Sequence, residues 1–192
     1  MLPTIEIPSI LPHLRRATRP YHDEVEQNPF NQALTAGTVT AAATARFLSR
    51  MYGFVQPYEA ELRAQAAHFG PAWELDQRYR APLILADLAQ LGSPAGPPLC
   101  PALPPLGTRP QLLGAMYVLE GSSLGGQVIA RQLAQAGIAG RSYFGGRAER
   151  TGPLWKAFCQ QLEAAATTAE TQAAITTSAI HTFRTLTSWL NC

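Results

Sequence analysis

The chain lacks any apolar run approaching the ~20 residues that a membrane-spanning helix needs, so no segment reads as a span. It lacks paired cysteines. Cys100, Cys159 and Cys192 are odd in number and widely spaced, with no Cys-x-x-Cys. That excludes a disulfide framework and a zinc ribbon, and it fits a reducing cytoplasm. Charge is sparse as well. Only 15% of the 192 residues are charged, the net charge is +2, and no basic run extends beyond Arg15 and Arg16. A nucleic-acid surface is therefore not expected. Alternating strand patterns are nearly missing, which removes a sheet. The opening stretch MLPTIEIPSILPHL sets prolines and Glu6 where a signal peptide needs an apolar core. No signal peptide is expected there, and the setting read from it is cytoplasmic.

What remains is helix. Hydrophobic residues make up 46% of the chain, enough for the core of one domain over residues 1–192, with about 10–190 folded. A first helix runs through LPHLRRATRPYHDEVEQ, where Leu11, Leu14, Thr18, Tyr21, His22 and Val25 recur at helical spacing. Pro20 is expected to bend or restart it, with Thr18 as a local cap. NPFNQALTAG reads as a break containing a short apolar turn. A second helix spans about 40–65, with Pro57 as a kink, and a third about 76–91. Residues 92–110, GSPAGPPLCPALPPLGTRP, form a proline-rich ordered loop. A fourth helix covers about 110–136. GIAGRSYFGGRAERTG is a turn region, and two closing helices follow with a boundary blurred by threonines near 167–177.

The fourth helix poses the main puzzle. LEGSSLGGQVIARQL carries Gly121, Gly125 and Gly126 inside it, each costing about 1 kcal/mol relative to alanine. Gly121 and Gly125 are four apart and share a face, with Gly126 beside them. Bare backbone of this kind serves either close helix packing or a flat ligand laid against it. His22 is the second lead. Glu26 follows at i+4, placed to accept from one ring nitrogen, as metal-ligating histidines commonly require. A packed, non-ligating histidine is the plainer alternative. His13, His68 and His181 have no such partner. Arg15 stands two turns before His22 on the same face, positioned either for an anionic ligand group or for solvent.

LRRATRPYHDEVEQNPF, followed about 100 residues later by YVLEGSSLGGQVIARQL, resembles the haem oxygenase family. The likeness is strongest to its bacterial biliverdin-producing branch, some members of which serve bacteriophytochromes. The resemblance runs over about residues 10–190. It implies an all-α, single-domain multi-helix bundle, with haem between the first (proximal) helix and a kinked, glycine-rich (distal) helix. It implies His22 as the iron ligand, Glu26 as its orienting carboxylate and Arg15 as a propionate contact. Gly121, Gly125 and Gly126 would form the backbone over the haem, where a side chain would collide with the porphyrin or fill the oxygen site. The activity implied is cleavage of haem, using O2 and external electrons, to biliverdin, CO and Fe2+. The partners implied are an electron donor such as ferredoxin, flavodoxin or a reductase, and a bacteriophytochrome as acceptor.

One position departs from the family pattern. Many members carry an aspartate after the first glycine, where it holds the water network of proton delivery; this chain has Ser122. Ser122, Ser123, Gln127 and Arg131 are the side-chain candidates for that role, and Arg150 or Lys156 for a late propionate contact. A haem carrier or sensor without turnover would use the same His22 and glycine face. In an all-helical fold without haem, the same residues would be packing.

Overall fold

The computed structural model describes residues 8–93 and 96–192, so residues 1–7 of the opening stretch and 94–95 of the proline-rich loop lie outside the described residues. Eight α-helices and four short 3-10 turns account for the regular structure, and no strand occurs among the described residues. None of these helices is long and apolar enough to cross a membrane.

α1 (Ile10–Val25) runs through Pro20 without interruption. The proline leaves one carbonyl unpaired, but the helix does not restart. Thr18 is not a cap: it is buried and donates from Oγ1 to the Leu14 carbonyl at 2.8 Å. The cap of α1 comes from far along the chain. Glu163 accepts from the Ser9 hydroxyl and from the backbone N–H groups of Ile10 and Leu11, at 3.4 and 3.5 Å. A carboxylate suits the positive end of a helix.

The expected break after α1 holds a short helix, α2 (Pro29–Thr35). Asn28 explains it. Its Nδ2 donates to the Val25 carbonyl at 2.8 Å and its Oδ1 accepts from Asn31 N–H at 3.0 Å, closing one helix and opening the next. α3 (Ala41–Ala64) is capped by Thr40 and buries Met51, Phe54, Val55, Tyr58 and Leu62, with Phe47 half-buried. It too passes through its proline, Pro57, as continuous helix.

The third expected helix starts later than the sequence suggests. Residues 66–77 fold into three 3-10 turns, and α4 is Ala81–Gln90. Pro82 in its first turn and a carboxylate from α3 fix the start: Glu59 Oε1 accepts from Arg80 N–H at 2.5 Å and Ala81 N–H at 3.1 Å. The proline-rich loop is ordered against α3, where Cys100 N–H donates to the Gly53 carbonyl at 2.8 Å.

α5 (Arg109–Gln135) opens with a Thr108–Gln111 capping box and continues through all three glycines. The turn region after it contains α6 (Ser142–Gly145), capped by Asp87 through the N–H groups of Ser142 and Tyr143 at 2.9 and 2.8 Å. α7 (Thr151–Ala165) and α8 (Ala169–Leu190) close the chain, separated at 166–168, with Thr168 capping α8. α8 packs against α1, α3 and α5. Gly114 permits the α5–α8 approach, because a β-carbon there would fall on the Ile175 carbonyl and 2.7 Å from Ala179 N. α1 and α5 are thus both held by α8.

Candidate functional site

A cavity of about 420 Å³ is walled by α1, α3, α5, α6 and α8, with Trp155 of α7. That volume lies in the range of small-molecule sites, and the lining follows their usual pattern of apolar walls with few polar groups. Phe47, Met51, Phe144, Phe183 and Leu186 supply apolar surface. Seven of the residues singled out in the sequence line it: Arg15, His22 and Glu26 from α1; Gly121, Ser122, Gly125 and Gly126 from α5.

His22 is half exposed. Its Nδ1 stands 3.7 Å from Glu26 Oε2 and 3.8 Å from Asp23 Oδ1. Both distances exceed a direct hydrogen bond, so the carboxylates act on the ring as neighbouring charges. With Nδ1 turned to them, Nε2 is the nitrogen left for a ligand. The ring edge meets Phe183 of α8, with centroids 5.9 Å apart. Asp23, which the sequence reading passed over, is held by Arg19 Nε at 2.7 and 2.9 Å. Among the described residues His22, Asp23 and Glu26 form a cluster whose ligand atoms lie within 4.8 Å of one another. Arg15 and Arg19 add positive charge along the same helix.

The three glycines divide. Nothing lies within 4 Å of a β-carbon placed on Gly125, which opens on the cavity. At Gly121 such an atom would touch the Trp155 ring at 3.6 Å, an ordinary contact. At Gly126 it would run into the Phe144 carbonyl. The expectation that a ligand explains the missing side chain at Gly126 is therefore corrected: the backbone of α6 explains it. Gly126 still lines the cavity by its main chain.

The carbonyls of α5 beside the glycines are not idle. Leu119 O accepts from Ser122 Oγ at 2.7 Å and from Arg80 Nη2 at 2.6 Å, and Ser123 Oγ donates to Glu120 O at 2.5 Å. Arg80 Nη2 also lies 3.3 Å from Ser122 Oγ. Arg80 is buried and its guanidinium carbon sits 4.9 Å from the Tyr143 ring centre. No sequence motif marks it; an arginine opening the apolar stretch RAPLILADL was the one available hint.

Five of the expected side chains are not brought to the cavity lining. Gln127 donates to the Ala148 carbonyl at 3.2 Å and Arg131 to the Gln127 carbonyl at 3.3 Å, both exposed. Arg150 is bound to Glu74 and Gln77, and Lys156 is also absent from the lining. α8 instead sets Arg184 against α1, with Nη2 3.2 Å from the Tyr21 hydroxyl. Ser123 faces a second, smaller cavity behind α5.

A helical bundle with an apolar cavity, whose walls carry a carboxylate-flanked histidine and an open glycine backbone, defines a class of cofactor-pocket proteins. The chain belongs to the haem oxygenase family. It is 33% identical to a haem oxygenase of Xanthomonas campestris pv. campestris over 135 residues, 69% of this chain and 79% of that one. No protein-family model matches it. In fold it is similar to the haem oxygenase of Leptospira interrogans, with TM-score 0.82 and 18% identity over 96% of this chain and 99% of that one. It is similar also to the NO- and CO-bound haem oxygenase of Neisseria meningitidis (TM-score 0.78, 22% identity, 96% and 91% covered). The haem complex of haem oxygenase-1 from Synechocystis is a further likeness (TM-score 0.73, 16% identity, 96% and 91% covered).

Proposed function

We propose that the protein, as one domain over residues 1–192, binds haem in the cavity and cleaves it oxidatively to biliverdin, CO and Fe2+. The observation that carries this reading is a single cavity lined both by His22 with its carboxylates and by the bare backbone at Gly125. The donor set fits haem. An imidazole whose other nitrogen faces carboxylates is a basic, oriented iron ligand. A glycine that meets nothing within 4 Å leaves room for a flat macrocycle. Arg15 and Arg19 offer cations to carboxylate substituents, and the aromatic and aliphatic walls suit a porphyrin face.

Haem is both substrate and cofactor, and it supplies the iron chemistry that activates O2 against its own ring. The chain's own residues do the rest. His22 would hold the iron through its imidazole, without the electron push a thiolate gives. Glu26 and Asp23 keep the ring turned so that Nε2 is free. The α5 backbone at Gly121 and Gly125 would lie against the bound haem with no side chain of its own in between. Ser122 presents a hydroxyl where many relatives have an aspartate. Supply of biliverdin to a bacteriophytochrome, reduction by a ferredoxin, flavodoxin or reductase, and a cytoplasmic setting are the finer parts of the proposal, resting on the sequence resemblance.

Adding hemin to the purified protein gives a sharp Soret band, and a reductant under oxygen then turns the solution green with release of CO. A Soret band with no loss of haem under reduction identifies a carrier or sensor instead. No band at all removes haem from the account.

A further inference from the structure

The second cavity, behind α5, has a volume of about 20 Å³. That is room for one water-sized occupant. Arg78, Arg80, Arg147, Ser123 and Thr151 line it, with Glu120 as the one carboxylate on its wall. The other carboxylate that acts on Arg147 is Glu59. Both are shared. Glu120 pairs with Arg78 at 2.7 Å. Glu59 pairs with Arg63 at 3.3 Å and acts on Arg80 as a neighbouring charge. Arg63, Arg78, Arg80 and Arg147 thus draw on Glu59 and Glu120 alone, and the surplus is positive. The next arginine, Arg150, has Glu74 at 2.9 Å. Among the described residues Arg147 has no ion pair.

Arg147 is nevertheless fixed in place. Gly146, at φ +59, turns the chain out of α6 just before it. Arg147 N–H donates to Thr151 Oγ1 at 3.1 Å, and Arg147 Nη2 donates to the Tyr79 carbonyl at 2.6 Å. Its Nε is buried and donates to no described residue. A buried N–H on a charged group is costly without an acceptor. Burial, and then the charge of Arg80, pull its pKa below the usual arginine range, and Glu120 and Glu59 do not offset them.

Water in the cavity would accept from Nε but bring no charge. A monoatomic anion supplies both an acceptor and the missing negative charge, and the volume leaves no room for a polyatomic one. Thr151 is buried, and its hydroxyl, which accepts from Arg147 N–H, keeps its own hydrogen to give. Ser123 spends its hydrogen on the Glu120 carbonyl. We propose that the cavity behind α5 is a halide site, filled by chloride, in which Arg147 Nε–H and the Thr151 hydroxyl hold the ion and Arg78 and Arg80 flank it with positive charge. Bound there, the ion ties the turn between α6 and α7 to the back of α5. The inference does not depend on what the large cavity binds.

Bromide is the probe, because it scatters anomalously. Wild-type crystals soaked in sodium bromide give an anomalous peak in the cavity beside Arg147. In solution, urea midpoints of the haem-free protein are followed in sodium bromide, sodium chloride and sodium gluconate at fixed ionic strength. The midpoint rises with either halide and saturates, as binding at one site in the folded state requires. Gluconate, too large for the cavity, gives no such rise. Arg147→Met weakens the halide affinity about tenfold or more, as the loss of a charge-assisted hydrogen bond predicts. Arg147→Gln removes the same charge and carries the measurement if Arg147→Met does not fold. Arg150→Met, which removes an exposed arginine three residues on, changes the affinity less than about twofold. A halide effect that survives in the Arg147 variants, or falls equally in Arg150→Met, overturns the site. So does the absence of any saturable halide effect, or a soaked crystal with no anomalous peak in the cavity.

Discussion

The backbone carbonyl of Phe144 fills the space into which a side chain at Gly126 would project, while one residue earlier Gly125 meets nothing within 4 Å. Adjacent glycines therefore answer to different demands, one to α6 and one to the cavity. Gly126→Ala should destabilise the fold by about 1–3 kcal/mol, because a backbone atom cannot step aside as a flexible side chain can. Gly125→Ala should leave stability unchanged or raise it by up to about 1 kcal/mol through helix propensity. Gly125→Leu should fold and lose hemin turnover. Urea unfolding of the apo-proteins with single-turnover assays separates the two. Equal stability losses at both positions would make the strip a packing device throughout.

His22→Ala should fold like the wild type. The side chain is half exposed and its main packing contact is the edge of Phe183, so the stability change should stay within about 0.5 kcal/mol. The hemin complex should lose its normal ferric spectrum, and added imidazole should restore part of it. A wild-type spectrum in the variant would place the ligand elsewhere.

The helices were legible in the sequence because their signals are local. Periodicity marked α1, α3 and α5, and the expected starts of the second and fourth helices, about 40 and 110, fall within a residue of the observed Ala41 and Arg109. Errors arose where a distant residue decides. The later start of α4 depends on Glu59, α6 exists through Asp87, and α1 is capped by Glu163. No window of local sequence contains those partners. At the site, the same distinction holds. His22 and Glu26 share one helix face, so spacing alone paired them. Arg80 and Ser122 are 42 residues apart and meet only through the packing of α4 against the rest. Gly126 misled for a related reason: a glycine on a helix does not say which neighbour requires it.

Glu59 couples the fold to pH. Burial pushes its carboxyl above the usual range, opposed by the backbone donors at Arg80 and Ala81 and by the charges of Arg63 and Arg80. A raised folded-state value means that the folded protein holds the proton more tightly than the unfolded chain. The resulting stabilisation is fully present below the ordinary glutamate range and is lost as pH rises through the folded-state value. Glu59→Gln keeps an acceptor for the α4 N–H groups and removes the titration. The stability of the wild type relative to Glu59→Gln should therefore be greatest near pH 4 and decline toward pH 7, followed by urea midpoints across that range. A relative stability that climbs with pH would show that the ionised carboxylate is the favoured form in the fold.

By the sequence resemblance Ser122 takes the position where many family members carry an aspartate, and its hydroxyl is already committed. It donates to the Leu119 carbonyl at 2.7 Å and lies 3.3 Å from Arg80 Nη2. A neutral hydroxyl of short reach cannot supply a carboxylate's anchoring charge. The Leu119 and Glu120 carbonyls beside it are likewise drawn on by side chains, so the helix backbone is no free reservoir of acceptors. Removing the hydroxyl takes one of two oxygens from Arg80 Nη2 and leaves the stronger, at 2.6 Å, in place. Ser122→Ala should therefore slow haem turnover by about tenfold or less, equivalent to about 1.4 kcal/mol of barrier. Single-turnover kinetics with hemin and a ferredoxin- or flavodoxin-type donor give the rate. A thousandfold loss would assign proton delivery to Ser122 itself and make the retained Arg80–Leu119 contact insufficient.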